Sequence, residues 1–278
     1  MTVATQRQSP PTHQPTYQPT SASQAGKTYR MGRIFGSDGR TVVLPLDHGS
    51  MLGRVAGLED PVGALERFVP LSCDGFLIGP GVAARSAALF ARRAAPARLL
   101  TIDSYWNAGD KGTSVMISNV STAAALGADA VKILMPWNVP APQRAPIVGM
   151  ISSVVEAAAP LGIPVMAEPI AYEMERGPDA TRIEADGCRV AMELGVDILK
   201  VAYPGDPATL ESWCSELHVP IVMLGGPQGG TTDELVGMVA DAVKAGASGI
   251  VIGRRVWQRP LPEAAKLLER LYSIVHAG

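Results

Sequence analysis

Eight short apolar runs, alternating with eight longer stretches of helical periodicity, predict an α/β chain: one (β/α)8 TIM barrel over residues 31–278, behind a disordered tail over residues 1–30. Three observations carry that expectation. The runs are apolar on both faces and separated by helix-length connections, as parallel strands covered by helices require. Eight such units is the number at which a parallel sheet closes on itself. Gly127, Gly195 and Gly246 stand just ahead of the fourth, sixth and eighth runs, where each preceding helix needs a terminating glycine. An open doubly wound sheet is the weaker expectation, because no GxGxxG follows the first run. With 278 residues and 47% hydrophobic content, the chain has the size and the apolar fraction for a single large core.

The elements follow in order. "MTVATQRQSPPTHQPTYQPTSASQAGKTYR" is rich in Pro, Gln, Ser and Thr and has no long apolar segment, so it reads as the tail. The strands are "TVVLPLDHG", "DGFLIGPG", "RLLTIDS", "ADAVKILMPWN", "IPVMAEPI", "VDILKVAYPG", "PIVMLGGP" and "ASGIVIGRRV". The helices between and after them are "ERFVPLS", "AARSAALFARRAA", "SNVSTAAALGA", "PIVGMISSVVEAAAPLG", "EADGCRVAMELG", "PATLESWCSELH", "TDELVGMVADAVKAG" and "LPEAAKLLERLYSIVHAG".

The formal net charge is only −2 and no dense Lys/Arg run occurs, so neither a nucleic-acid nor a membrane-surface partner has electrostatic support. A small-molecule substrate is expected instead. Cys73, Cys188 and Cys214 lack CxxC spacing, which fits a reducing cytoplasm and argues against structural zinc or a disulfide framework. His13, His48, His218 and His276 are far apart and form no HExxH, so no metal site is expected.

In such a barrel the chemistry sits at the C-terminal ends of the strands. Reading those ends gives Asp47, Asp103, Lys132, Glu168 and Lys200. Alternation sharpens the set. If Lys200 points inward, Ile198 and Ala202 share its face while Leu199 and Val201 pack on helices; Lys132 then goes with Ala130 and Leu134, and Glu168 with Met166 and Ile170. Three consecutive strands would present Lys, Glu and Lys to one cavity. A cluster of that kind is costly to bury for structure alone, and it suits tuned chemistry. Taken singly, a strand lysine is a snorkelling residue or half of a structural ion pair, Lys132 is a charge partner for Glu168, and Asp47 and Asp103 are turn or capping carboxylates. "GGPQGG" over 225–230 and "GRRVWQ" over 253–258 follow the last two strands, where this fold builds phosphate sites from backbone N–H groups, with Arg254 or Arg255 adding charge. The plainer alternative is that these glycines only make tight turns.

These motifs resemble a known group. "LPLDHG", "GADAVKIL", "AEPIAYE", "DILKVAYPGD", "LGGPQGG" and "GASGIVIGRRVWQ" are similar to the class I, Schiff-base aldolases that include deoxyribose-phosphate, tagatose-1,6-bisphosphate and archaeal-type fructose-bisphosphate aldolases, over about residues 30–270. Glu168 stands where the archaeal type carries tyrosine and is closer to the tagatose-bisphosphate type. The resemblance implies aldol cleavage of a phosphorylated ketose, with Lys200 forming the imine, Glu168 and Lys132 assisting proton transfer, and Asp47 handling a substrate hydroxyl or the carbinolamine. It also implies phosphate held at Gly225, Gly226, Gly253 and Arg254, no metal or other cofactor, and, by analogy of fold, a homo-oligomer. On this reading Lys200 has its pKa depressed by apolar surroundings and by Lys132, and burial raises the pKa of Glu168 so that it serves as an acid. The alternatives of another class are a phosphosugar-binding barrel with altered catalysis and a phosphosugar isomerase or epimerase.

Overall fold

The computed structural model describes residues 21–108, 111–225 and 230–277. Its strands are β1 Thr41–Pro45, β2 Gly75–Ile78, β3 Ala97–Thr101, β4 Asp103–Ala108, β5 Lys111–Met116, β6 Ala130–Pro136, β7 Val165–Ile170, β8 Ile198–Val201, β9 Ile221–Leu224 and β10 Gly249–Val251. Eight of them close a barrel in the order β1-β10-β9-β8-β7-β6-β3-β2, with every neighbouring pair parallel. Seven of the eight barrel strands fall within the apolar runs read from the sequence, and β3 starts one residue ahead of its run. The long outer helices Ala141–Ala158, Pro178–Glu193, Thr232–Lys244 and Leu261–His276 bury one face each, as their apolar spacing requires. Gly195 closes its helix at φ +89, a left-handed conformation that costs a residue with Cβ and leaves glycine unstrained.

The strand alternation divides the core in two. Val43, Leu99, Ala130, Met166, Ile198 and Val222 fill the barrel interior. Val131, Ile133, Ala167, Leu199 and Val201 belong to the larger core between strands and helices. Lys132, Glu168 and Lys200, each one residue out of step with that second set, therefore face the barrel axis.

Two elements differ from the sequence reading. Residues 22 to 30, expected as the end of the tail, lie in a helix, Ala22–Ile34, that covers the N-terminal ends of the strands. Its Lys27 pairs with Asp197 at 2.8 Å and its Arg33 with Asp129 at 2.7 Å, while fully buried Ile34 and nearby Phe35 plug the interior. Burying a side chain such as Ile34 contributes about 1.5–3 kcal/mol. Contacts 96 and 170 residues away along the chain are what order this segment, so local composition does not show them. Residues 1–20 of the expected tail lie outside the described residues.

The second difference is an antiparallel hairpin, β4 paired with β5, that leaves the barrel directly after β3. It leans over the C-terminal mouth, where Ser104 Oγ donates to the Ser50 carbonyl at 3.0 Å and Tyr105 meets Tyr172 edge to face at 4.8 Å.

Candidate active site

A cavity of about 600 Å³ opens at the C-terminal ends of the strands. Asp47, Lys132, Glu168 and Lys200 all line it, as do Gly225, Gly253 and Arg254. Glu168, on β7, stands between its two neighbours in the barrel: Oε2 lies 2.7 Å from Lys132 Nζ on β6, and Oε1 lies 2.9 Å from Lys200 Nζ on β8. All three side chains are buried, at 5–7% exposure. The expected convergence of Lys, Glu and Lys is thus the geometry of the site.

The charge state expected for Glu168 is not. Burial by itself raises this carboxyl, but the ammonium groups of Lys132 and Lys200, with their hydrogen bonds, outweigh it and hold the pKa down at about 2. At rest Glu168 is a carboxylate, not the acid the sequence suggested. For Lys132, burial favours the neutral amine, yet Glu168, Asp103 and Asp47 together hold its pKa above the ordinary lysine value. The sequence reading took Lys132 to act on Lys200 directly; in the structure a carboxylate lies between them.

Asp47 closes β1 on the same cavity, its Oδ2 accepting a hydrogen bond from Thr101 Oγ1 at 2.5 Å. His48 follows, with Nδ1 3.6 Å from Asp47 Oδ1 and its ring edge to face with Trp257. Burial lowers the His48 pKa, opposed by Asp47 and reinforced by Lys200 and Arg254, so the ring is neutral near pH 7. Trp257 is itself fixed by a hydrogen bond from its Nε1 to the Pro45 carbonyl at 3.0 Å.

On the side of β9 and β10, Gly225 and Gly253 admit no side chain. A Cβ on Gly225 would come within 2.6 Å of Ile252 Cγ1, and one on Gly253 within 2.9 Å of Pro45 Cγ. Packing alone thus accounts for both glycines, as the plainer reading had it, and it also leaves their backbone bare towards the cavity. Of the two candidate arginines, Arg254 lines the cavity while Arg255 donates from Nη2 to the Thr231 carbonyl at 2.7 Å. Gly226 lies outside the described residues.

Several residues at the mouth went unread in the sequence. Arg176 forms a two-pronged pair with fully buried Glu184, at 2.7 and 2.6 Å, and Glu184 Oε1 also accepts from the Ala171 N–H at 3.2 Å, which anchors the loop carrying Tyr172. The sequence reading gives Thr101 no role, and it considers His48, although that residue stands in "LPLDHG", only as a metal ligand. Among the described residues no group of three or more His, Cys, Asp or Glu side chains is arranged to hold a metal ion, and no helix is long and apolar enough to cross a membrane.

Known proteins match this chain along nearly its whole length. The family model described as DeoC/LacD family aldolase matches residues 41–259. A 2-amino-3,7-dideoxy-D-threo-hept-6-ulosonate synthase of Archaeoglobus fulgidus is 33% identical, with 91% of this chain and 92% of that one covered. The class 1 fructose-bisphosphate aldolase of Thermoproteus tenax is 27% identical, with 91% and 96% covered. Among solved structures, an archaeal fructose-1,6-bisphosphate aldolase whose catalytic Lys is covalently bound to the carbinolamine intermediate superposes with a TM-score of 0.74 at 27% identity, covering 88% of this chain and 99% of that one. With the matched segment spanning every barrel strand, the chain belongs to the DeoC/LacD family and is an aldolase of class I.

Proposed function

We propose that the protein reversibly cleaves a phosphorylated ketose into dihydroxyacetone phosphate and an aldehyde through an imine on Lys200. The observation that carries this reading is the carboxylate of Glu168 held 2.7 and 2.9 Å from two buried ammonium groups at the base of the cavity. Glu168 is placed to take a proton from Lys200, leaving a free amine to attack the keto carbon. Once Lys200 loses its charge, one of the two cations that suppress protonation of Glu168 is gone, so the carboxyl holds that proton and can return it to the departing hydroxyl of the carbinolamine. Loss of water gives an iminium ion, whose positive charge again faces the Glu168 carboxylate.

Asp47, on the neighbouring wall, accepts the proton of the hydroxyl on the carbon that leaves as aldehyde. The electron pair of the breaking carbon–carbon bond moves onto the iminium nitrogen, giving a neutral enamine. Its carbon then takes up a proton that water supplies through Glu168, whose carboxylate gave up its own proton when the carbinolamine lost water, while Asp47 releases the proton it took to solvent. Lys132 keeps its charge throughout and holds Glu168 in position. Hydrolysis frees Lys200 and the three-carbon ketone. The phosphate is assigned to the backbone at Gly225 and Gly253 and to Arg254, so that binding energy there orients the reacting carbon. No step so written calls on a metal or other cofactor.

Incubation with dihydroxyacetone phosphate and borohydride, followed by peptide mapping, tests the proposal. A reduced adduct on Lys200 is expected. An adduct on another lysine, or none, overturns it and returns the isomerase or binding-barrel alternatives.

A further inference from the structure

Asp103 sits at the point where β3 gives way to the hairpin, and it is 1% exposed. Its Oδ2 accepts the Leu134 N–H at 2.9 Å, which fixes the carboxyl against β6. Its Oδ1 is fully buried and has no hydrogen-bond partner among the described residues, although Asp103 lines the cavity. The other acids at the base of the cavity are occupied, Asp47 by Thr101 and Glu168 by two lysines. Buried polar atoms without partners are uncommon in folded proteins, and one on a cavity wall is suited to a ligand atom.

Topology says which part of the ligand. In the ring of eight strands β3 lies four places from β9, directly across the barrel, so Asp103 faces the site from the side opposite Gly225. Lys200 stands on β8, next to β9, so a substrate with its phosphate end on β9 and β10 and its keto carbon at Lys200 extends its remaining carbons towards β3. The chemistry of that wall narrows the group. Asp47, Asp103 and Glu168 together repel a second phosphate, and Lys132 disfavours an ammonium. A carbonyl accepts only. Burial, opposed by Lys132 and the Leu134 N–H, pushes the Asp103 carboxyl up to about 6, so near neutrality it is met by ligands in both protonation states. A hydroxyl group, donor and acceptor at once, satisfies either.

We propose that Asp103 is a specificity-determining residue whose Oδ1 hydrogen-bonds a hydroxyl group on the half of the phosphorylated ketose that leaves as aldehyde. The inference rests on the aldolase reading above and names the acceptor chemistry of the same site: hydroxylated aldehydes in preference to deoxy ones.

The test is aldol addition of dihydroxyacetone phosphate to glyceraldehyde and to propanal, which share a three-carbon skeleton and differ in hydroxyl groups. The ratio of the two kcat/KM values is the readout, because a partly unfolded preparation lowers both and leaves the ratio alone. In Asp103→Ala the preference for glyceraldehyde should fall about 10- to 100-fold, the effect of losing one hydrogen bond to a buried polar partner. Asp103→Asn keeps the shape and a hydrogen-bonding atom, so it should retain more of the preference and serves as the folded control. A wild-type protein without the preference, or a preference unchanged in both variants, overturns the role of Asp103 while leaving the imine intact. Failure of the wild type to form any borohydride adduct with dihydroxyacetone phosphate overturns the substrate reading, and this inference with it.

Discussion

The two ends of the barrel use the same ingredients to opposite ends. At the N-terminal face, Asp129 and Asp197 each accept a backbone N–H, from Arg98 and Val165, and each meets one cation of the helix Ala22–Ile34. At the C-terminal face, Glu168 meets two cations, and among the described residues neither Asp103 Oδ1 nor His48 Nδ1 has a hydrogen-bond partner. The carboxylates at these strand starts are balanced one to one. Those at the strand ends are unevenly matched. The first arrangement holds a plug in place, and the second leaves bonding capacity for something that is not protein.

The sharpest way to break this contrast is Lys200→Met. Turnover of the cognate substrate should fall by at least about 10³-fold, since in the proposed mechanism no other group forms the imine. Glu168 keeps Lys132 as a partner in that variant, so the fold should persist. Residual activity near the wild-type level would remove Lys200 from the mechanism.

Next comes Glu168→Gln set against Asp197→Asn. Removing the charge of Glu168 leaves two buried ammonium groups facing a neutral amide, and denaturant titration should show a loss of about 3–5 kcal/mol. Asp197→Asn breaks an ion pair with Lys27, whose side chain is 37% exposed, and should lose less than about 1 kcal/mol while keeping the Val165 contact. Equal losses at the two positions would mean that the ends do not differ as described.

The pH dependence of stability gives a finer comparison within the mouth. Glu168 is held below its ordinary value, so its stabilisation is complete above about pH 5 and is lost as pH falls towards about 2. Asp103 is held above its ordinary value by burial, against Lys132 and with Glu168 and Asp47 adding to it. Its contribution is therefore present below about pH 4 and lost as pH rises through about 6. Asp103→Asn removes that second slope, so its stability relative to wild type should improve by up to about 3 kcal/mol between pH 4 and pH 7. Thermal melts at intervals across this range measure it, and a constant difference would place the titration elsewhere.

Much of this was legible in the sequence because strand parity is rigid. Once Leu199 and Val201 are assigned to the helix side, Lys200 has one direction left, and the same holds for Lys132 and Glu168. What the pattern did not convey was stoichiometry: both lysines reach one carboxylate, which reverses the sign expected for Glu168. The hairpin was missed because its sequence holds no apolar run like those of the barrel strands, and among its described side chains Trp106, Val115 and Met116 are exposed. The N-terminal helix did leave a trace, since Ser21 three residues before Gln24 is a capping pattern and Ser21 Oγ does accept the Gln24 N–H. Glu184 left one too. It shares a helix face with buried Ala180, Gly187, Cys188 and Ala191, and a carboxylate in an apolar stripe signals a hidden partner, here Arg176.

Glu168 also has a bearing on how the barrel assembles. Its two oxygens reach one strand to either side, so it ties β6, β7 and β8 together at a single level. Were β7 to slip by one position, Ala167 or Pro169 would take its inward place and Glu168 would be driven into the oily layer under the helices. The side chain to which we assign the proton transfers thus also penalises misthreading, and a chain that closes its sheet correctly arrives with Lys132, Glu168 and Lys200 already aligned.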